Sequence, residues 1–352
     1  MLFAAVAFDL NNFDWNNLAQ QSLNGLTLGA LFALIALGYT MVYGIVELIN
    51  FAHGDLFMLG SFLALTIVGF FGLEDPNALA AAATWKVILA VVLCFLAVPV
   101  FCAGLNLAVD RVVYKPLRNA PKLAPLVSAI GVSFIFMNAG LFWGGPQDVN
   151  FPDVIPNLVG TEAPSASDAA PTASADGKTA AKSAALKNLL GDSPIRLTAK
   201  DVLILGVTIP LMIALTIFVK FTPMGKAMRA TAQNPIAARL MGINTDRVIG
   251  TTFVVGGGLA GFGSVIYALS VNTVSYQMGF QNGLYAFTAA VLGGIGNIPG
   301  AVVGGIVIGL VRALGSAYIG ETWTSALIFA VLIIILVFRP SGLLGARTRE
   351  KV

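Results

Sequence analysis

The sequence predicts an all-α integral membrane protein with about eight transmembrane helices and one broken half-helix. Of its 352 residues, 57% are hydrophobic and only 11% are charged, whereas soluble domains are usually about 45–50% apolar. The 38 glycines agree with this class, because small residues let helices in a bilayer approach each other closely. The net charge of +3 gives no indication of a nucleic-acid partner.

Eight apolar runs have the length of about 20 residues that a helix needs to cross a bilayer core of about 30 Å. They cover residues 24–46, 56–73, 87–109, 124–143, 202–219, 248–271, 300–318 and 323–338. The apolar stretch 284–296 is shorter and would extend only about 20 Å as a helix. It is followed by Pro299, so we predict a broken half-helix there, and a second interruption at INFAHGD between the first two spans. Transporters use such interrupted segments to line a pathway.

Lys and Arg residues near span ends indicate the orientation in the membrane. They concentrate in residues 111–122, 220–247 and 339–351, which we expect to be cytoplasmic. The amino terminus carries Asp9 and Asp14 without Lys or Arg, so we expect it to be periplasmic. Eight crossings would then leave the basic carboxyl terminus outside. An extra crossing by the broken half-helix places it in the cytoplasm, and we prefer this solution.

The one long polar insert covers residues 144–201 and is rich in Ala, Ser and Pro. Such low-complexity composition cannot bury a core. We therefore expect an external, periplasmic loop there, which separates the first four spans from the cytoplasmic segment 220–247.

Polar residues concentrate where the first span ends. Glu47, Asn50 and His53 are spaced by three, which on a helix places them along one face, and Asp55 opens the second span. Ionisable groups at membrane depth usually face a cavity or a partner, so these residues are candidates for lining a pathway. The alternative is a short cytoplasmic turn in which Glu47 and Asp55 are solvated. A metal site is not expected, because the chain has a single His.

Segment 220–247 predicts short amphipathic helices. Met228 falls on one face and Lys226 and Arg229 fall on another. Asn234 followed by Pro235 is a helix start signal, and Gly242 is the matching stop. A capped helix of this kind fits the cleft of a motor domain, although a basic helix that rests on anionic lipid is the alternative.

The sequence shows no G-x-S-x-G, no H-E-x-x-H and no complete phosphate loop, so energy must come from another chain. A channel or an intramembrane enzyme is disfavoured, because the sequence has neither an Arg-rich sensor span nor a catalytic motif. The glycine pattern Gly296, Gly300 and Gly304 predicts close helix packing, either within this subunit or against a second permease.

Four segments resemble a known family: NGLTLGALFALIALGYTMVYGIVELINFAHGDLFMLGS, GKAMRATAQNPIAARLMGINTDRVI, AFTAAVLGGIGNIPGAVVGG and RPSGLLG. Together they are similar to the LivH-type permeases of high-affinity branched-chain amino-acid ABC importers. The resemblance covers nearly the whole chain except residues 144–201. INFAHG and LGGIGNIPGA are specific to this family, which also includes urea or short-amide permeases.

The resemblance implies one non-catalytic transmembrane permease domain over residues 1–352, located in the bacterial inner membrane and carrying Leu, Ile or Val. It implies a second permease of LivM type, two ATP-binding subunits of LivG and LivF type, and a periplasmic amino-acid-binding protein. No cofactor is expected on this chain, since ATP and Mg²⁺ are used by the partner subunits. A permease for urea, short amides or another amino acid is the alternative.

The resemblance also assigns residues. Those expected to couple to the ATPase are Gly225, Lys226, Arg229, Asn234, Pro235, Arg239, Leu240 and Gly242. Those expected along the translocation path are Asn50, His53, Asp55, Gly293, Gly294 and Asn297, and Glu47 is added to them from its place in the polar cluster.

Overall fold

The computed structural model describes residues 15–46, 50–118, 120–121, 123–155, 196–339 and 341–345. Twelve helices and one short strand pair are described in these ranges. The helices are α1 (Trp15–Val46), α2 (Ala52–Phe70), α3 (Pro76–Ala81), α4 (Thr84–Leu117), α5 (Leu123–Gly144), α6 (Ala199–Phe221), α7 (Pro223–Gln233), α8 (Pro235–Leu240), α9 (Thr245–Val271), α10 (Met278–Gly293), α11 (Ile298–Tyr318) and α12 (Glu321–Phe338). The strands are β1 (Val149–Asn150) and β2 (Thr273–Val274).

The predicted all-α membrane architecture is confirmed. Eight helices, α1, α2, α4, α5, α6, α9, α11 and α12, are long and apolar enough to cross a bilayer. Each corresponds to one predicted span. The helix α10 has 16 residues and is thus about 24 Å long, which is short for a complete crossing.

One end of the bundle, called the β end here, holds the antiparallel pair of β1 and β2, in which Val149 faces Val274. The start of α1 lies at this end, because Gln20 exchanges hydrogen bonds with the backbone of Arg196, just before α6. The other end is called the basic end. There Arg118 contacts Asp110 at 2.7 Å and Asp246 at 2.5 Å, so the end of α4 meets the start of α9.

The short helix α10 supplies the extra reversal that eight spans alone lack. The backbone N–H groups of Leu343 and Leu344 donate to the carbonyls of Leu292 and Gly293 at 2.8 and 3.1 Å. The chain that follows α12 therefore lies beside the end of α10. A Cβ on Gly44, near the end of α1, would lie 3.0 Å from Gly296, which places both at the basic end.

The core of the bundle is built around α1, which contacts α6, α9, α10 and α11. The middle of α1 is buried on all sides, from Ala30 to Leu37, as expected for a helix that is apolar all round and surrounded by others. In contrast, α5, α6 and α12 keep many exposed apolar side chains, such as Phe142 and Val337. These helices form the outer layer, which fits contact with lipid or with another membrane subunit.

Two helices extend eight or nine residues beyond their predicted bounds at one end. The helix α1 is described from Trp15 onward, and the polar stretch before the predicted start at residue 24 is stabilised by a hydrogen bond of 3.0 Å from Gln20 to Asn24, an i, i+4 pair. The helix α4 continues past the predicted end at residue 109 through a π-helical turn, Asp110–Tyr114. Both extensions are polar, so hydropathy alone could not include them.

Candidate translocation and coupling sites

The segment predicted to couple to an ATPase forms the helix pair α7 and α8 at the basic end. The Asn234 side chain accepts hydrogen bonds from the backbone N–H groups of Ile236 and Ala237, both at 3.0 Å. Pro235 is the first residue of α8, and Gly242 adopts a φ of +84° after its end. The predicted start and stop of this helix are therefore confirmed, each by the expected local chemistry.

The helix α7 has the predicted two faces. Gly225 and Met228 are buried, whereas Lys226 is exposed. Gly225 is required there, because a Cβ at this position would lie 2.3 Å from the carbonyl oxygen of Val219. The helix thus packs its small and apolar side on the bundle and presents its basic side outward.

The two predicted coupling arginines also make contacts inside this chain. The Arg229 guanidinium donates to the carbonyls of Val219 and Lys220, at the last turn of α6. Arg239 Nε donates to Thr245 Oγ1 at 2.8 Å, at the start of α9. Cations commonly satisfy the free carbonyls of a helix end in this way. Both arginines therefore help to fix the shape of the α7 and α8 unit.

The outer surface of α8 is apolar. Ile236, Leu240 and Met241 are 71%, 84% and 83% exposed, although they lie next to the basic residues of segment 220–247. Three large apolar side chains in one exposed turn form a contact surface rather than scattered surface residues.

The predicted pathway cluster near INFAHGD is divided between two elements. Asn50 precedes α2, whereas His53 lies within it, and the His53 N–H donates to the carbonyl of Asn50 at 3.2 Å. Asn50 and Phe51 are not helical and α2 begins at Ala52, so the expectation of a shared helix face was wrong for Asn50 and His53. Glu47 lies outside the described residues.

Asn50 joins a buried chain of hydrogen bonds. Its side-chain amide donates to Asn106 Oδ1 at 3.1 Å, and Asn106 Nδ2 donates to the carbonyl of Phe253 at 2.7 Å. The Tyr114 hydroxyl donates to Asn50 Oδ1 at 3.3 Å. This chain ties the interruption to α4 and α9, and it satisfies polar groups that burial would otherwise leave without partners.

Asp55 and His53 are both buried in the bundle. Asp55 is 1% exposed and accepts a hydrogen bond from the Ser133 hydroxyl of α5. The alternative of a solvated Asp55 is therefore wrong. The His53 ring lies edge-on to Tyr39 with centroids 4.7 Å apart, and Gly38 leaves space for it, since a Cβ there would lie 2.2 Å from His53 Nε2.

The second predicted group of pathway residues lies in the turn after α10. Gly294 has a φ of +100° and Asn297 caps α11 by accepting from the N–H of Gly300 at 3.4 Å. Asn297 Nδ2 also donates to the carbonyl of Leu344 at 2.6 Å. Gly293 packs directly on Gly300. The turn is thus held against the segment that follows α12.

None of the cavities found among the described residues is lined by members of both predicted groups. Between α1 and this turn, the space lined by Tyr39, Tyr43 and Ile295 is about 10 Å³, which is about the room for one water molecule. A larger cavity of about 560 Å³ lies elsewhere, between α5, the first half of α10 and α12. Its volume is within the range of about 300–1,000 Å³ that small-molecule sites occupy.

Sequence reasoning missed the residues of this larger cavity. Its lining includes Gln277, Gln281, Tyr285 and Ser325. Gln277, Gln281 and Tyr285 recur every four residues, which indicates one face of a helix. This polar stripe is readable in the sequence, but it lies partly before the apolar stretch 284–296.

An arginine lies directly behind the cavity wall. The Arg312 guanidinium is 5.2 Å from the ring centroid of Tyr285 and 5.6 Å from that of Phe32, within the range of cation–π contacts. Its Nη1 donates to Asn282 Oδ1 at 3.3 Å. Arg312 Nη2 also lies 3.9 Å from Glu321 Oε1, which is a long ion pair.

Comparison with known proteins agrees with this architecture. The family model of the branched-chain amino acid transport system permease component matches residues 21–336. No solved structure matches the chain.

Individual relatives cover almost the whole chain. The high-affinity branched-chain amino acid transport system permease protein LivH of Escherichia coli K12 is 38% identical, over 95% of this chain and 97% of its own length. BraD of Pseudomonas aeruginosa, a permease protein of the same named system, is 36% identical with the same coverage. LivM of Escherichia coli is 25% identical over 35% of this chain and 28% of its own length. The chain therefore belongs to the family of branched-chain amino acid transport system permease components.

Proposed function

We propose that this chain is a membrane subunit of an ABC importer that carries branched-chain amino acids across the bacterial inner membrane. The observation that carries the proposal is the similarity to LivH and BraD over 95% of the chain, joined to a bundle that holds polar groups and a cavity of about 560 Å³ among its helices. The subunit itself is non-catalytic, and ATP with Mg²⁺ is hydrolysed by two partner subunits. A second permease of LivM type and a periplasmic binding protein complete the assembly.

The basic end is assigned to the cytoplasm, and the β end, with the start of α1, to the periplasm. Support comes from the exposed Lys226 and Lys115 at the basic end, since cytoplasmic loops carry the excess of Lys and Arg. The low-complexity insert 144–201 then belongs to the periplasmic side; residues 156–195 of it lie outside the described residues. Labelling of a Lys226→Cys variant with a membrane-impermeant thiol reagent tests this orientation. We expect labelling only after the cytoplasmic face of the membrane is made accessible to the reagent.

The ATP-binding subunits dock on α7 and α8. The exposed apolar surface of Ile236, Leu240 and Met241 supports this docking, because contact with a protein partner would remove this apolar surface from water, which is favourable. Lys226 adds an exposed positive charge on the neighbouring helix α7. Gly225, Asn234, Pro235, Arg239 and Gly242 serve the docking indirectly, since they fix the helix ends.

Uptake by the complete assembly tests the transport function. The chain, its second permease, both ATP-binding subunits and the binding protein are placed in liposomes, and the accumulation of labelled leucine is measured with and without ATP. We expect ATP-dependent uptake that unlabelled leucine, isoleucine or valine inhibits and urea does not. Inhibition by urea or short amides alone would favour the alternative substrate class, and uptake without ATP would refute an ABC importer.

Substitution of Leu240 with Asp tests the docking surface. Leu240 is 84% exposed, so the change leaves the bundle intact and acts mainly on a partner. We expect less ATP-binding subunit to copurify with the variant. The matched control is Ile319→Asp, an exposed apolar residue in the turn after α11, away from the basic end, which should keep full copurification. Replacement of Arg229 or Arg239 with Glu is a less specific test, because each arginine also forms a hydrogen bond at a helix end.

A further inference from the structure

We propose that the cavity between α5, α10 and α12 holds the transported amino acid during its passage, with Gln281, Tyr285 and Ser325 contacting its charged groups. This inference rests on the proposed transport function and names the residues of this chain that contact the substrate. None of the pathway residues predicted from sequence lines this cavity.

The cavity lies within the membrane-spanning part of the bundle. One wall is Met137, which lies seven residues before the end of α5 at Gly144, or about 10 Å. Next to the polar wall, Gly279 packs on Met58, which lies twelve residues before the end of α2 at Phe70, or about 18 Å. Both depths fall inside a hydrocarbon core of about 30 Å.

Polar side chains at this depth need a polar partner or water. Gln277 and Gln281 are exposed in this chain, and each amide donates one hydrogen bond, to the Tyr276 and Tyr285 hydroxyls. The remaining N–H and carbonyl groups of both amides would face hydrocarbon on a lipid-exposed wall, which is strongly disfavoured. The wall is therefore not a lipid-facing surface. It borders either a wet passage or the second permease, and a passage between two permeases meets both conditions.

The polar wall is organised before any ligand binds. Gln281 Nε2 donates to the Tyr285 hydroxyl at 3.1 Å, and this hydroxyl lies 2.6 Å from Ser325 Oγ. The three groups thus connect α10 with α12. Together they offer amide and hydroxyl donors to a carboxylate, and amide and hydroxyl oxygens to an ammonium group.

The remaining wall suits an aliphatic side chain. Met137, Phe280 and Phe329 contribute apolar surface, and none of the described lining residues is charged. A ligand with a net positive charge would be left without a compensating charge in such a cavity. A zwitterion with an apolar side chain meets both the polar and the apolar wall, which matches a branched-chain amino acid.

Arg312 acts as a positioning residue behind this wall. Its guanidinium stacks on the Tyr285 ring at 5.2 Å and is held by Asn282. Its carboxylate partner Glu321 is 3.9 Å away and largely exposed. The positive charge is therefore only partly compensated, and it favours the carboxylate of the substrate on the Tyr285 side of the cavity.

A second cavity offers a matched comparison. It has a volume of about 360 Å³ and is lined mostly by apolar residues of α6, including Ile209, Met212 and Ile213, with Val302 of α11. Its one polar lining residue, Thr216, donates its hydroxyl to the carbonyl of Met212 in its own helix. This cavity has no free polar wall, and we assign it to lipid tails.

Filling each cavity with the same substitution tests the assignment. Met137→Trp and Met212→Trp are each introduced into the complete assembly in liposomes, with leucine uptake and binding-protein-stimulated ATP hydrolysis measured. We expect Met137→Trp to lower uptake at least about tenfold, equivalent to about 1.4 kcal/mol, while ATP hydrolysis is retained. Met212→Trp should change neither. Equal uptake by the two variants would overturn the assignment.

A labelling experiment decides the case in which Met137→Trp fails to assemble. Ser325→Cys and Thr216→Cys are treated with a small, water-soluble thiosulfonate reagent; the native Cys94 and Cys102 are buried. We expect rapid labelling at position 325 that leucine slows during transport, and little labelling at position 216. An unreactive Cys at 325, or labelling that leucine does not affect, would exclude this cavity as the substrate site.

The role of Arg312 is tested in the Ser325→Cys variant, by measuring how leucine protects position 325 from labelling. We expect Arg312→Gln to raise the leucine concentration needed for half-maximal protection, and Arg312→Lys to raise it less, because the charge is kept. An equal rise in both variants would mean that Arg312 acts only by packing. If the unmodified assembly does not carry leucine, the proposed function fails; if it does and position 325 behaves like 216, only the cavity assignment fails.

Discussion

Replacement of Gly309 by Ala should loosen the contact between α1 and α11. A Cβ on Gly309 would lie 2.3 Å from the Cα of Gly29, whereas carbon atoms in contact are about 3.5–4.0 Å apart. The helices would have to separate by more than about 1 Å, since a clash with backbone cannot be relieved by rotating a side chain. Such overpacking costs about 1–3 kcal/mol.

The matched control is Gly258→Ala in α9. A Cβ there meets no atom within 4 Å, so the variant gains only the better helix propensity of Ala, about 1 kcal/mol at most. If Gly309→Ala gains the same propensity, the two variants still differ by about 1–3 kcal/mol. The helix α1 lies at the centre of the bundle, so this difference should affect the whole subunit.

Heating the isolated subunit in detergent, followed by size-exclusion chromatography, measures the effect. We expect the temperature of half-maximal loss of the monodisperse peak to fall by several degrees for Gly309→Ala and to stay level or rise for Gly258→Ala. The same result for both variants would refute the packing argument. A loss seen only in the complete assembly would instead place the small-residue contact between subunits.

Three further substitutions test local contacts. Asn106→Leu removes the partner of Asn50 and the side-chain donor to the carbonyl of Phe253; we expect a loss of about 1–2 kcal/mol, seen as a lower unfolding temperature, and unchanged stability would show that the hydrogen-bond chain is dispensable. Asn234→Ala removes the cap of α8 and should lower its stability by about 1 kcal/mol, measured as faster amide exchange; unchanged exchange would contradict a capping role. Gly242→Ala places a Cβ at a φ of +84° and should destabilise the same turn by about 1–2 kcal/mol, with faster proteolysis as the readout and wild-type resistance as the contrary result.

The fold was largely predictable from the sequence because the physics that selects membrane helices is local. Length and apolarity define each span, and neither depends on the partner that a helix packs against. The ends were less predictable, as α1 shows: the polar turn from Trp15 to Asn24 continues the helix through a side-chain hydrogen bond. Likewise α10 begins at Met278, six residues before the apolar stretch.

The same difference between local and long-range contacts explains which parts of the candidate sites were predictable. The ends of α8 were predicted because Asn234, Pro235 and Gly242 act on backbone groups within a few residues. The contacts of Asn50 with Asn106, 56 positions away, and of Tyr285 with Ser325, 40 positions away, depend on how helices meet in space. A single sequence does not reveal these pairings. The polar residues could therefore be identified, but the hydrogen bonds between them could not be predicted.

The interruption before α2 and the cavity beside α10 are physically connected. The helices α2 and α10 run antiparallel and meet through glycines. A Cβ on Gly54 of α2 would lie 2.4 Å from the carbonyl oxygen of Gly279 and 2.7 Å from the Cα of Gly283, both in α10. Gly279 and Gly283 are offset by two positions from Gln281 and Tyr285, and two positions correspond to about 200° around a helix. The α2 contact and the cavity wall are thus opposite faces of α10. Because no side chain intervenes on the glycine face, the approach of α10 to α2 determines how far the polar wall extends toward α5 and α12, and hence the width of the cavity.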